Sequence, residues 1–225
     1  MYRILRRGLP ILLCLVAVAA WGQKVKMKTV YNDKRYFVSD ASIAIDAPVE
    51  ASKKVFNRLF HDMTTYPPEM FNWICSDLGF QGDGKDPIYL KYKSCKYNAK
   101  TGDYAITFDI QIPHIKTFHD VCVTATVKLI DYVSGNKAGD VKIHYTNLVL
   151  KDAGGVMKVL SRSESHSEVD IHFQIKFGWF FNLFITRERY RKIFEWRFER
   201  FLQNYAKYTR IEAAKMAKAE KEQEK

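Results

Sequence analysis

The sequence is poor in cysteine and histidine, and neither residue type has the spacing of a metal site. It contains four cysteines and six histidines in 225 residues. Structural zinc sites use pairs of ligands separated by a few residues, combined with a second such pair. His114 and His119, for example, lie five residues apart across a predicted turn, and no second pair accompanies them. The sequence therefore predicts no metal ion and no other cofactor.

A catalytic motif and a dense basic tract are also missing. His61 and Asp62 beside Tyr66 could supply an acid or a base, but no nucleophile or oxyanion donor lies near them in the sequence. The net charge of +11 is spread along the chain, which fits an anionic surface, an acidic ligand or simple solubility. Without a cluster of Lys and Arg, nucleic acid is not an expected partner.

The apolar run at the N-terminus, residues 9–20, is too short for a spanning helix of about 20 residues. Three arginines precede this run and small residues follow it, which is the pattern of a secretory signal peptide. We predict that residues 1–22 are removed, that the mature chain begins at Gln23, and that it is periplasmic or extracellular. Cleavage would lower the net charge from +11 to +8, because three arginines and no acidic residues leave. An uncleaved anchor is the alternative.

Three cysteines, Cys75, Cys95 and Cys122, remain after the predicted cleavage. Export permits a disulfide bond, but the number is odd. One pair with a free thiol and three buried free thiols are both compatible with the sequence.

The first part of the mature chain alternates between strand and helix signals. A lead-in strand is predicted within residues 24–42, and a short strand at 43–48 ends in a proline. A helix follows at 49–63, with its apolar residues on one face. A second short helix is predicted at 69–78, before a glycine-rich loop at 79–87.

From residue 88 the hydrophobic pattern has a period of two, which indicates half-buried strands. Predicted strands cover residues 88–97, 104–112, 121–129, 141–150 and 169–177. The glycine pair at 154–155 predicts a loop or short helix up to residue 162. Because apolar and polar residues alternate, we expect an antiparallel sheet with one face covered and one face in water.

The element that covers the sheet is predicted to be a helix from Thr186 to the C-terminus, with Thr186 as its N-cap. Residues three and four apart share a helix face. One face of this helix is aromatic and carries Tyr190, Phe194, Phe198, Phe201, Tyr205 and Tyr208, flanked by Ile193 and Leu202. The predicted fold is α+β, a curved antiparallel sheet gripping a long C-terminal helix, with one domain over 23–210 and a charged helical or disordered tail over 211–225.

This order of elements resembles the helix-grip superfamily of START lipid-transfer domains, the birch-pollen-allergen family and polyketide cyclases. Residues 43–50 and Val55-Phe56 look like its opening strand and helix, and Leu59, Asp62 and residues 66–67 look like its helix end. The resemblance implies a cavity between sheet and C-terminal helix, usually for an apolar ligand, and it implies no fixed catalytic residues.

Two polar residues interrupt the aromatic face of the helix. Arg197 and Asn204 could contact the polar end of a ligand, with Arg197 binding an acid group. The alternatives are that both reach water at the edge of the face, or that Arg197 pairs with a buried carboxylate. The apolar run at 177–185 is core beneath the helix, a wall of the cavity or a lipid-facing lip. The candidate ligand-binding residues are Tyr190, Phe194, Arg197, Phe201, Asn204, Tyr205, Trp179 and Phe108.

The sequence thus favours an exported protein that binds a hydrophobic small molecule or lipid without catalysis. One alternative is an envelope module that contacts a protein or a membrane surface. Another is a cyclase-type enzyme, which would require titratable groups converging inside the cavity.

Overall fold

The structure, a computed structural model, describes residues 24–66, 68–79, 85, 88–131, 137–143 and 150–223. The predicted signal peptide and most of the predicted loop at 79–87 lie outside the described residues. Eight strands are present: β1 (Lys26–Tyr31), β2 (Phe37–Ile45), β3 (Tyr89–Asn98), β4 (Asp103–Ile112), β5 (Lys116–Asp131), β6 (Lys137–Ile143), β7 (Leu150–Ser163) and β8 (His166–Phe177).

The helices are α1 (Val49–Thr65), α2 (Glu69–Asn72), α3 (Trp179–Phe184), α4 (Arg187–Tyr190) and α5 (Trp196–Gln223). A π-helical turn, Arg191–Glu195, joins α4 to α5, so that the three segments form one C-terminal helix. As predicted, Thr186 caps this helix, because its side-chain oxygen accepts a hydrogen bond from the backbone N–H of Arg189 at 3.2 Å. None of the helices in the described residues is long and apolar enough to cross a membrane.

All eight strands belong to one antiparallel sheet in the order β1-β2-β8-β7-β6-β5-β4-β3. The chain therefore starts at one edge, crosses to the other, and returns strand by strand to place β8 beside β2. The α1 helix and the C-terminal helix pack together against one face of this sheet. The predicted arrangement of a curved antiparallel sheet gripping a long C-terminal helix is confirmed.

The predicted lead-in strand is wrong in its limits, because residues 24–45 form a hairpin of two strands. Asn32 closes the turn: its backbone oxygen accepts from the N–H of Arg35 at 2.9 Å, and its side-chain oxygen accepts from the N–H of Tyr36 at 3.0 Å. Asparagine favours turns because its side chain bonds to the nearby backbone in this way.

The predictions for residues 141–162 also need correction. The predicted strand at 141–150 joins two separate strands, since β6 ends at Ile143 and β7 begins at Leu150. Residues 152–162, predicted as a loop or short helix, lie inside β7. The glycine pair is part of that strand, where Gly155 faces Phe173 of β8.

The second predicted helix is shorter than expected. It ends at Asn72, where Trp73 leaves the helical conformation. The Trp73 indole N–H donates to a carboxylate oxygen of Asp62 in α1 at 2.9 Å, and the next residue, Ile74, is fully buried. Burying both side chains favours the non-helical path, because consecutive residues on a helix point to different sides.

The buried apolar residues form two clusters rather than one. The first joins α1, residues 70–75 and the middle of α5, and it includes Tyr205. The second joins the ends of β2 and β8 to α3 and the start of the C-terminal helix, and it includes Tyr190. Beyond Ala213, which packs against the first cluster, the helix continues to Gln223, and its side chains are exposed except for that of Met216, which is half-buried.

Candidate functional site

An apolar cavity of about 380 Å³ lies between the sheet, α1 and the C-terminal helix, where the two buried clusters meet. Its position is the one that the helix-grip resemblance implies. Ligand sites in proteins commonly have about 300–1,000 Å³ and mostly hydrophobic and aromatic walls. The lining residues are Phe56, Leu59, Phe60, Met63, Met70, Cys75, Leu78, Gly155, Val156, Met157, Ile171, His172, Phe173, Ile175, Phe194, Arg197, Phe198 and Phe201.

The sheet side of the cavity is formed by β7 and β8, where Gly155 pairs with Phe173 and Met157 pairs with Ile171. A Cβ atom on Gly155 would lie 2.4 Å from the carbonyl oxygen of His172 and 3.0 Å from the Cα of Phe173. Such distances require the backbone to move, so only glycine fits here. The absent side chain leaves room for the Phe173 ring, whose centroid is 5.3 Å from that of Phe198.

The C-terminal helix forms the opposite side. Phe194, Phe198 and Phe201 follow one another along its inner face and line the cavity. The π-helical turn at Arg191–Glu195 contains Phe194, and such turns recur at functional sites in helices. The Phe194 ring is held by Phe177 at 5.5 Å and Tyr190 at 5.0 Å between centroids.

The third side of the cavity is formed by α1 and residues 70–78, and its side chains are flexible and uncharged. Met63 and Met70 supply flexible, polarizable side chains. Burial raises the pKa of the Cys75 thiol to about 12, with a smaller contribution from Asp77, so the thiol is neutral. Cys75, Cys95 and Cys122 are all free thiols, and because Cys122 is exposed the alternative of three buried thiols is wrong.

Arg197 lines the cavity, but its guanidinium group binds the protein's own backbone. Its Nε donates to the carbonyl oxygen of Leu78 at 2.8 Å, and its Nη2 donates to that of Gly79 at 2.7 Å and more weakly to that of Ile88 at 3.4 Å. Nη1 donates to the carbonyl oxygen of Ile193 at 2.5 Å. These four bonds all go to backbone carbonyl oxygens of the protein. The predicted contact between Arg197 and an acidic ligand stays a hypothesis.

Asn204, the second polar candidate, also bonds within the protein. Its side-chain amide donates to the carbonyl oxygen of Ile74 at 3.0 Å and to a carboxylate oxygen of Asp77 at 2.8 Å. Desolvation alone would raise the pKa of Asp77, but the hydrogen bonds from Asn204 and Arg200 outweigh it and hold that pKa below its usual value. Asn204 and Arg197 therefore both fasten residues 74–79 to the C-terminal helix.

Two of the predicted aromatic candidates are structural. Tyr190 is fully buried, and its hydroxyl lies 2.9 Å from that of Ser39. Burial raises its pKa to about 12, although the Ser39 hydrogen bond acts in the opposite direction. Tyr205 donates to the carbonyl oxygen of Ser52 at 2.6 Å. Both hydroxyls fasten the helix, one to β2 and the other to α1.

The structure thus brings three of the eight predicted site residues into the cavity wall: Phe194, Arg197 and Phe201. Trp179 lies on α3 and Phe108 lies on β4, away from the residues that line it. Residues of α1 such as Phe56 and Leu59 also line the cavity. The sequence predicts them as the buried face of a helix but not as cavity residues. The sequence signal that could have revealed the sheet side of the cavity is the pair of glycines at 154–155, since glycine within a strand allows the neighbouring strand to approach closely.

Among the described residues, titratable side chains do not converge on the cavity. His172 pairs on the other face of the sheet with Asp40, at 2.7 Å between Nδ1 and the carboxylate oxygen. Within the described part of the chain, no group of three or more His, Cys, Asp and Glu residues is placed to hold a metal ion.

No family model matches the chain, and no curated protein sequence matches it. Truncated norcoclaurine synthase from Thalictrum flavum is 10% identical, with a TM-score of 0.44 over 82% of this chain and 94% of the other. A Streptomyces aromatase/cyclase is 9% identical, with a TM-score of 0.43 over 82% and 94%. The lipid transfer and protein localization domain of human StarD13 is 12% identical, with a TM-score of 0.43 over 90% and 96%.

Proposed function

We propose that the protein binds an apolar or amphipathic, lipid-like small molecule non-covalently in the cavity between β7, β8, α1 and the C-terminal helix. The observation that carries this proposal is the character of the wall. Hydrophobic and aromatic side chains make up nearly all of it, and the guanidinium of Arg197 is directed to backbone carbonyls. A wall of this kind favours a ligand through burial of apolar surface, which contributes about 25 cal/mol per Å².

The cavity also limits the size and chemistry of the ligand. Its volume of about 380 Å³ lies near the lower end of the range of about 300–1,000 Å³ that is usual for ligand pockets. This fits an acyl chain of medium length or a molecule of two or three fused rings. Since the wall offers few free hydrogen-bonding groups, a polar end of the ligand would remain at the cavity mouth or in water.

A cyclase-type reaction receives less support from the geometry. General acid or base catalysis needs a group with a suitable pKa within reach of the substrate. Cys75 is the titratable side chain nearest to this role, and its thiol is held neutral by burial. We therefore favour binding without catalysis.

Native mass spectrometry of the protein purified under mild conditions tests the proposal. We expect a fraction of the molecules to carry an added mass that is released by organic solvent and matches a lipid-like compound. The control is the same protein after denaturation and refolding, which should lack the added mass and should gain the mass of dodecanol on incubation with that alcohol. A refolded protein that takes up no apolar compound would contradict the proposal.

We also propose that the protein is exported, because of the basic start and short apolar run of residues 1–22. The expected mature N-terminus is at or near Gln23. Mass analysis of the protein recovered from the cell envelope or medium checks this. Recovery of a chain that still begins at Met1 would reject cleavage and favour an anchored form.

A further inference from the structure

A second apolar surface lies at one end of the sheet, outside the cavity. Because the strands are antiparallel, the β1–β2 turn, the β4–β5 turn and the end of β8 all lie at this end. The chain leaves β8 there through α3, a helix with the sequence WFFNLF and no charged residue. The C-terminal helix then begins at Arg187.

The α3 helix buries one side and exposes the other. Phe181 is buried, and its ring centroid lies 5.8 Å from that of Phe118 in β5. Trp179 and Leu183, four residues apart, are 69% and 68% exposed, and they are the most exposed large hydrophobic side chains among the described residues. These two side chains contribute little to the free energy of unfolding, since water contacts most of their apolar surface.

The β4–β5 turn extends the apolar surface. Ile115 in this turn is 49% exposed. It borders a surface depression together with Pro113 of the same turn and Phe184 and Ile185 at the end of α3. We call the surface formed by Ile115, Trp179, Leu183 and Phe184 the α3 patch.

Basic side chains surround the α3 patch. The Arg189 guanidinium donates to the carbonyl oxygen of Phe184 at 3.0 Å, and the Lys116 ammonium lies 5.6 Å from the centroid of Phe118. Arg187 lies over the ring of Tyr31 at 5.3 Å. In the described residues none of these three cations has a carboxylate within ion-pair distance. Glu188, whose pKa is lowered mainly by Lys192 and to a smaller extent by Arg189, pairs with Lys192 at 2.6 Å.

We propose that the α3 patch is a docking surface for an anionic lipid bilayer. Tryptophan and aliphatic side chains on a short helix can enter the boundary between headgroups and acyl chains. Arg and Lys beside them attract anionic lipid headgroups, and their aliphatic stems can lie along the apolar part of the interface. The net charge of +8 that remains after the proposed cleavage of residues 1–22 acts in the same direction. This inference is independent of the cavity ligand, because the two surfaces share no residue.

Vesicle sedimentation tests the inference with the full mature chain. We expect binding to phosphatidylcholine vesicles that contain phosphatidylglycerol, and much weaker binding to pure phosphatidylcholine. The double variant Trp179→Ser, Leu183→Ser should bind anionic vesicles at least about tenfold more weakly. High salt should also weaken binding, because it screens the charges. Both residues are exposed, so the variant should keep the wild-type melting temperature.

The matched control is Ile211→Ser on α5, another exposed hydrophobic residue, whose neighbour Glu212 pairs with Lys54 of α1. This variant should bind vesicles like the wild type. A wild type that does not bind anionic vesicles would overturn the inference, as would a double variant that binds them equally well. Self-association that is lost in the double variant, without vesicle binding, would show a protein contact and would overturn it too.

Discussion

Arg197→Met is expected to lower the free energy of unfolding by about 2–4 kcal/mol, because one charged hydrogen bond contributes about 1.5–3 kcal/mol and several are lost together. The guanidinium donates hydrogen bonds to the carbonyl oxygens of Leu78 and Gly79 and a weaker one to that of Ile88. These bonds attach the residues on both sides of the predicted loop at 79–87 to the C-terminal helix. In a chain of this size the melting temperature should fall by about 5–15 °C. Circular dichroism during heating measures the change.

Arg200→Met provides the matched control on the same helix. Arg200 is about half exposed and pairs with Asp77 at 2.5 Å, and exposed ion pairs contribute about 0–1 kcal/mol. We expect this variant to lose less than about 1 kcal/mol on the same ground. Equal losses for the two variants would mean that the bonds from Arg197 to the backbone do not fasten the segment.

The Arg197→Met variant also separates the structural role of Arg197 from the role in acid binding that the sequence predicts. If the guanidinium is fully used by the backbone, Arg197→Met should change the affinities for dodecanoic acid and dodecanol by similar factors. A loss confined to the acid would show that Arg197 binds the carboxylate directly. Both ligands should be measured well below the melting temperature of the variant, so that the folded protein is compared.

Much of the fold could be predicted from hydrophobic periodicity. The strand at 169–177 and the helix from Thr186 follow patterns of two and of three to four residues, and the structure has β8 (His166–Phe177) and a helix capped by Thr186. These patterns exist because one face of each element is buried against the other. The sequence predictions are wrong where one residue type is compatible with two kinds of local structure. Glycine marks loops, but at Gly155 it permits the close approach of two strands.

The cavity was harder to predict than the fold that surrounds it. Its aromatic wall at Phe194 and Phe201 was found because both residues lie on the buried helix face. The partners of Arg197 could not be found, because Leu78 and Gly79 are more than one hundred residues away and contribute only backbone oxygens. Every residue has such an oxygen, so no sequence pattern marks the ones that Arg197 binds.

The cavity itself is tested by a substitution that fills it. Ile171 lies on its sheet side, opposite the aromatic residues of the helix. Ile171→Trp should remove binding space while leaving stability nearly unchanged, because the larger side chain enters existing space. In a closely packed core the same overpacking costs about 1–3 kcal/mol. Thermal unfolding therefore distinguishes an open cavity from a filled core before any ligand is added.

A smaller substitution and a surface control complete the series. Met157→Phe adds less volume at the neighbouring position on β7 and should weaken binding by an intermediate factor. Ile211→Trp adds the same tryptophan at an exposed position on α5 and should bind like the wild type.

The most direct measurement is a fluorescence titration of these proteins with phenylnaphthylamine, an uncharged apolar probe. The account predicts saturable binding to the wild type and to Ile211→Trp with equal affinity, and binding at least about tenfold weaker to Ile171→Trp. Displacement of the probe by dodecanol should follow the same order. Equal binding of the probe by all three proteins would contradict the claim that the cavity between the sheet and the C-terminal helix is the ligand site.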